Sequence, residues 1–451
     1  MTGIYRVAAV FLVVLLTGCS RGVQEASSGI EGAVSSNVLQ EADDDMENGA
    51  QEDSGEAREA VVLEESRGTG VITGGEALSL HQKETLLAFM DMYYESLANL
   101  EAEDCSELFI EGDSHGELRA QVDGTSWTSE KDGSFQAAVH QAAWKLIIGV
   151  RKASGLDLRL LSYSYRLDCL NVTEMEDGCV QEEVMEYTDM RFAHTPEIDS
   201  SVTGLRHFFV LKQQEGKWYL TRHLAYDSAY SHFLRRENSD RGREAESMSW
   251  EEMENLADEL IQEAADQIRQ RRLQWESEND QSEQARAEHA YDREAAVAYA
   301  REWAEERNPQ WQSYDSLGGN CMNFVSQCLF ASGIPMDRSG NARWYWFSDA
   351  NRAPAWTGVD SFRDYADSNT GYGLSARIGA AFGTGEEGDV ILMCDDGDYN
   401  HAVIISQVVQ DETGGTIDYL ICSNTGNYRD FPVSAYMYTD QELVKILGWN
   451  G

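Results

Sequence analysis

Positive charge is scarce in this 451-residue chain: 35 Lys and Arg stand against 79 Asp and Glu, a formal net charge of −44. A surface this acidic repels phosphate backbones and speaks against a nucleic-acid partner. The excess reads as solubility and a solvated acidic tail. Long apolar runs are also missing. Val7 to Leu16 is unbroken, yet it falls short of the roughly 20 residues that a membrane-spanning helix needs. Metal-ligand spacing is absent: His401 is the only histidine from Tyr291 onward, and the cysteines are scattered. Asp395, Asp396 and Asp398 have the flavour of a calcium loop, but no bidentate Glu follows where one is needed. No cofactor is implied. There is no internal repeat. Ser20 to about Gly75 has no aromatic residue and is rich in Glu, Asp, Ser and Gly. It cannot bury enough apolar surface to offset its ordering entropy, so residues 20–77 read as a disordered acidic tether.

What is present begins with an address. Arg6 precedes the apolar run, and Leu16-Thr17-Gly18-Cys19 follows it. That ending resembles a bacterial lipobox. The resemblance implies a signal peptide over 1–19, Cys19 as the lipid-bearing first mature residue, and a protein tethered to the extracellular face of the cytoplasmic membrane. Seven further cysteines remain: Cys105, Cys169, Cys179, Cys321, Cys328, Cys394 and Cys422. An odd count in an exported protein points to one free thiol.

A chain of this length, with 42% hydrophobic residues, has room for two or three cores. Residues 78–235 open with helical spacing over His81 to Ala102 and Phe135 to Val150. Strand-like runs follow at Leu156 to Leu170, Val180 to Phe192, Leu205 to Gln213 and Trp218 to Ala225. Helices followed by antiparallel strands predict an α+β domain, and the order resembles the nuclear-transport-factor-2-like fold. Cys169 and Cys179 flank a loop between strands and are candidates for a disulfide. Residues 236–290 read as exposed charged helices bridging two domains. The partner of the middle domain is not encoded in any motif.

The chemistry sits in 291–451. Gly318-Gly319-Asn320-Cys321 places a tight turn and a helix cap before a helix over Cys321 to Ala331. Cys321 then lies where unpaired backbone N–H groups favour an anion, which predicts a lowered thiol pKa and an oxyanion site at the same amides. His401 opens an apolar strand and is the candidate base. Asn424, at the end of the next strand, is the candidate orienting residue. Asn320 and Met322 are the candidate oxyanion supports. Cys328, Cys394 and Cys422 read as core, and the aromatic cluster Trp344 to Phe347 with Trp356 reads mostly as core.

The stretches "YDREAAVAYAREWAEERNPQW", "GGNCMNFVSQCLFASGIPM", "EEGDVILM" and "HAVIISQV" resemble the putative amidase domain family, a papain-like branch related to the NlpC/P60 and CHAP hydrolases. The resemblance implies Cys321 as nucleophile, His401 as base, Asn424 as the orienting residue, and Gly388-Asp389 as the turn that starts the strand before the histidine's strand. Two positions depart from the family pattern: Asn320 stands where Asp is usual, and Asn424 where His is frequent. Together these readings predict a membrane-anchored cysteine amidase acting on cell-envelope peptides such as peptidoglycan. The alternative is a tethered binding protein with a degenerate hydrolase domain. Ten Lys and Arg against 23 Asp and Glu from Tyr291 onward mean that charge alone does not draw the domain to anionic wall polymers.

Overall fold

The computed structural model describes residues 67–110, 118–122, 125–129, 133–175, 178–225, 249–277, 287–339, 343–395 and 397–451. The expected signal peptide, Cys19 and most of the expected tether lie outside them. The architecture is mixed α+β. Strand β1 (Gly68–Thr73) comes first and pairs in parallel with β4, so the end of the expected tether is built into a sheet. Helix α1 (Leu80–Asn99) starts at a reciprocal cap between Ser79 and Gln82, which satisfies two of the orphan amides of the first turn. The hairpin β2 (Leu118–Val122) and β3 (Thr125–Ser129), helix α2 (Gly133–Ala153), and strands β4 (Leu160–Glu174), β5 (Cys179–Phe192), β6 (Ser200–Gln214) and β7 (Lys217–Ala225) complete the middle region. Along β5, Val184, Glu186, Thr188, Met190 and Phe192 alternate inward, the period of two expected of a half-buried strand.

Helix α3 (Trp250–Ser277) follows. The exposed bridge read from its charge is a docked helix instead. Met253, Leu256, Ala257 and Ala264 are buried against Val139, Ala142, Leu146 and Val150 of α2. Its charges sit on the opposite face. Arg271 donates to the Thr439 carbonyl and Arg272 to the Ser154 carbonyl, so the helix's C-terminal part is tied both to the loop before β15 and to the residue after α2.

The last region runs through α4 (Arg293–Trp303), α5 (Cys321–Ala331), β8 (Trp346–Ser348), β9 (Asn351–Arg352), α6 (Pro354–Thr357) and α7 (Val359–Ser368). It ends in β10 (Gly373–Ala380), β11 (Val390–Asp395), β12 (Asp398–Gln410), β13 (Thr416–Ser423), β14 (Asn427–Pro432) and β15 (Asp440–Asn450). The sheet order is β1-β4-β5-β6-β14-β13-β12-β11-β15-β10, with β7 also on β6. The join is antiparallel: Thr203, Val202 and Ser201 of β6 face Asn427, Tyr428 and Arg429 of β14. A single apolar core therefore continues from Leu86, Phe89 and Trp144 to Ile391, Val403 and Ile421. A second core, on the other face of the C-terminal strands, gathers α4, α5 and α7 around Phe324, Trp344, Trp356 and Phe362.

The expected disulfide does not form. Cys169 faces Val184 and Cys179 faces Lys212 in the ladders, and all seven cysteines of the described residues are free. Strands β4 and β5 run further than the sequence pattern indicated, so the two sulfurs belong to different registers.

Candidate active site

Two adjacent glycines shape the approach to Cys321. Gly318 and Gly319 take φ of +108° and +123°, a region that L side chains rarely adopt. The turn they make delivers Asn320 to the end of α5 with Cys321 as first helical residue. Asn320 does not cap the helix through its side chain. Its Oδ1 accepts from the Tyr314 amide (3.1 Å) and from Asn323 Nδ2 (2.9 Å). Its own amide donates to Thr425 Oγ1 at 2.5 Å. The residue is thus a buried knot tying the turn to strand β13's end. Behind it, Trp356 Nε1 donates to Asn323 Oδ1 at 2.9 Å and Trp344 Nε1 to Ser326 Oγ at 3.0 Å. These tryptophans are core, as their spacing indicated.

Strand β12 meets the start of helix α5 one residue beyond His401, and Tyr436, which bonds to His401, also lies close enough to feel the charge of a Cys321 thiolate. The Cys321 sulfur lies within reach of the Ala402 backbone N–H and of the N–H groups of Met322 and Cys321. His401 stands one residue before Ala402 in the chain. Burial nevertheless dominates and pushes the Cys321 thiol up, with the three amides pulling the other way. The lowered thiol pKa expected from the helix N-terminus is therefore not realised. The helix-end effect is present, but desolvation of a residue only 7% exposed exceeds it. Burial also lowers His401 to about 4. At neutral pH the Cys321 thiol and the His401 imidazole are both neutral.

The imidazole is oriented by hydroxyls. Tyr436 Oη lies 2.9 Å and Ser423 Oγ 3.1 Å from His401 Nε2. Tyr436 and Tyr438 stack nearly parallel to the ring, with centroids 5.8 and 5.6 Å away. Asn424 does not take the orienting position expected for it. Its Nδ2 donates to the carbonyls of Trp303 (3.0 Å) and Ala304 (2.7 Å), and its Oδ1 accepts from Asn320 Nδ2 at 3.0 Å. Asn424 closes the orphan end of α4 and braces Asn320. One residue of register explains the difference: successive side chains of a strand point to opposite faces, so Ser423 meets the histidine and Asn424 meets α4. Ser423 adjoins a residue already singled out in the sequence. Tyr436, on a loop after a short helical turn, carried no such signal.

Met322 is fully buried, so its contribution to the site is its backbone amide. Cys328 and Cys422 are likewise fully buried on facing elements. Gly388 takes φ +85° just before β11. Asp389 there is held by Arg293 Nη1 at 2.9 Å and by the Ile446 amide at 2.9 Å.

These elements have a counterpart among known proteins. Residues 290–447 match the family described as "Putative amidase domain". The matched stretch runs from just before α4 into β15 and includes Cys321 and His401, and the match points to a hydrolase-like function. A relative named "Uncharacterized protein YhbB", from Bacillus subtilis (strain 168), is 38% identical over 122 residues, which is 26% of this chain and 37% of the relative. The chain therefore matches little more than a third of that protein's length. A solved structure titled "Putative Scytalone Dehydratase", from Novosphingobium aromaticivorans, shares 14% identity over 32% of this chain and 85% of its own, with a TM-score of 0.18. A superposition that loose carries no argument about the middle region.

Proposed function

We propose that the amidase domain is a papain-like cysteine hydrolase that cleaves amide bonds through a Cys321 thioester. The observation that carries the reading is a helix-terminal thiol beside the Ala402 amide, one residue along the strand from a histidine whose Nε2 is already occupied by Tyr436 and Ser423. With Nε2 protonated toward that pair, Nδ1 holds the lone pair that takes the thiol proton as sulfur attacks the carbonyl carbon. The N–H groups of Cys321 and Met322 favour the negative charge that then develops. The same imidazole returns the proton to the leaving amine, and water hydrolyses the thioester. Because thiol and imidazole rest neutral, the proton moves in the attack itself. No standing thiolate precedes it.

The lipobox resemblance and the family together favour a cell-envelope peptide or amide, such as a peptidoglycan stem, reached from a lipid anchor at Cys19. The depth of Cys321 and its raised pKa favour the alternative of a binding protein on a hydrolase scaffold. Release of new amines from purified peptidoglycan by the full chain, with Cys321→Ala and His401→Ala alongside, separates the two. The hydrolase reading expects release by the wild type and none above background in either variant. Its kcat/KM should rise through about pH 4, following His401. A wild type that releases no amine while still binding the polymer would establish the binding protein.

A further inference from the structure

By composition residues 236–290 read as a bridge between domains, and the amide chemistry uses none of them. Helix α3 nevertheless reaches the segment that holds the candidate base. Residues 433–439 form a short strap between β14 and β15, opening with the helical turn Val433–Ala435. The strap carries two of the groups that face His401. Tyr436 Oη lies 2.9 Å from His401 Nε2, and the Tyr436 and Tyr438 rings stand only 15° and 20° from the imidazole plane. Ser423 faces it from β13, and Cys321 of α5 is near enough to act on Tyr436. His401 is 6% exposed beneath these groups, and burial alone lowers it to about 4. Its pKa therefore reports how completely the strap and its neighbours exclude water.

The strap is fastened at both ends. At its start, the Ser434 amide and hydroxyl donate to Asp418 Oδ1 at 3.3 and 2.9 Å, and Asp418 Oδ2 lies 3.1 Å from His194 Nε2. At its end, Thr439 Oγ1 donates to Gln267 Oε1, and the Thr439 carbonyl accepts from Arg271 Nη1 at 2.9 Å. Gln267 and Arg271 are one turn apart on α3, so one face of the helix presents both. Arg271 also lies over the Phe382 ring at 5.0 Å and feels the charges of Asp418 and Asp440. Between the fastenings, Met437 packs against the core shared by α2 and α3. The two tyrosines do not depend equally on these ties. Tyr436 is backed by Tyr428 and Phe431, with centroids 4.9 and 6.1 Å away. Tyr438 is half-buried and adjoins Thr439, the residue that α3 holds.

We infer that Arg271 and Gln267 are positioning residues for His401, acting through Thr439 and the Tyr438 ring beside it. Both lie outside the matched stretch 290–447. The inference rests on the cysteine-hydrolase reading for its catalytic consequence alone. Attack by Cys321 needs the imidazole held at one angle, and a misplacement of about 1 Å caused by a distant change can cost a hundredfold in rate. Helix α3 is then a working part of the site.

The test is the titration of His401 in the full chain, followed through its imidazole nitrogen-15 signals, which the His401→Gln variant identifies. Amine release from peptidoglycan is measured beside it. In Arg271→Ala the His401 midpoint should move from about 4 toward the ordinary value near 6.5. Its kcat should fall about tenfold or more, with KM nearly unchanged. Arg271→Lys, which keeps a donor for the Thr439 carbonyl, should restore most of both. Arg272→Ala is the control. It removes another tie of the same helix, to the Ser154 carbonyl, and should leave the midpoint where it is. Should Arg271→Ala not fold, Gln267→Leu deletes the other tie to Thr439 and should give a smaller shift in the same direction. An unmoved midpoint in the folded variants, or an equal shift in Arg272→Ala, would overturn the inference. A wild type that releases no amine would remove the hydrolase reading, and the His401 midpoint would still decide the positioning.

Discussion

Two buried histidine sites sit in one continuous sheet, and they solve the problem of burial in opposite ways. In the C-terminal pocket no carboxylate reaches His401 among the described residues. Hydroxyls of Tyr436 and Ser423 hold it, and burial lowers its pKa to about 4. In the middle region the Glu186 carboxylate anchors a series of buried rings, His207, His223 and His140, and stays anionic because three donors converge on it. Glu182, two same-face positions earlier on the same strand, makes the contrast sharper. It has no hydrogen-bond partner among the described residues, and burial raises it to about 8. Partners, not depth, decide which buried carboxyl keeps its charge. A hydroxyl-held imidazole is suited to receiving a proton for an instant. A carboxylate-held chain has each ring's tautomer fixed from the carboxylate outward.

The comparison breaks most readily at Glu186. Glu186→Leu removes the acceptor of three buried donors and should lower unfolding stability in urea by roughly 3–5 kcal/mol. Amide release by the remaining folded fraction should be unchanged if the sites are separate. Acid comes next. His401 titrates at about 4 when folded and near 6.5 when unfolded. Its folded pKa is depressed, so its contribution is fully present above about pH 6.5 and is lost as pH falls toward 4. The loss is on the order of 3 kcal/mol from that residue, and His140, at about 3 when folded, extends the decline to lower pH. Denaturant midpoints measured from pH 7 to pH 4 test it, and a flat profile would contradict the burial of these rings.

Asn424→Ala should cost about 1–3 kcal/mol of stability, since two carbonyls at the end of α4 lose their donor. The acid limb of the pH–rate profile should not move. A displaced limb would restore Asn424 as the orienting residue. The smallest effect belongs to Tyr436→Phe, which deletes one bond to His401 and leaves Ser423 in place. A fall in kcat of about tenfold, worth about 1.4 kcal/mol, is expected with KM nearly unchanged.

Much of this was open to reading from the chain. The helix pattern of Cys321 to Ala331 and the Gly-Gly turn before it announced a thiol at a helix start, because a local sequence controls a local backbone. The four long strands of the middle region were read as strand-like runs, with a hairpin turn at Glu215-Gly216-Lys217 between the last two. The docking of α3 was not legible, because its apolar stripe is thin and its charges dominate the composition. Asn424 and Ser423 could not be told apart, because a strand's two faces are assigned by its neighbours.

What the sequence alone determined was which groups the protein has to work with: one histidine from Tyr291 onward, a cysteine behind two glycines, and a strongly acidic composition. The tertiary structure decided their states. Joining β6 to β14 merged two apparent domains into one core. Packing then placed Tyr436 on His401 and drew His140, His207 and His223 from three elements into one chain. Protonation at both sites follows from burial and partners, and these arise only when residues distant in sequence meet.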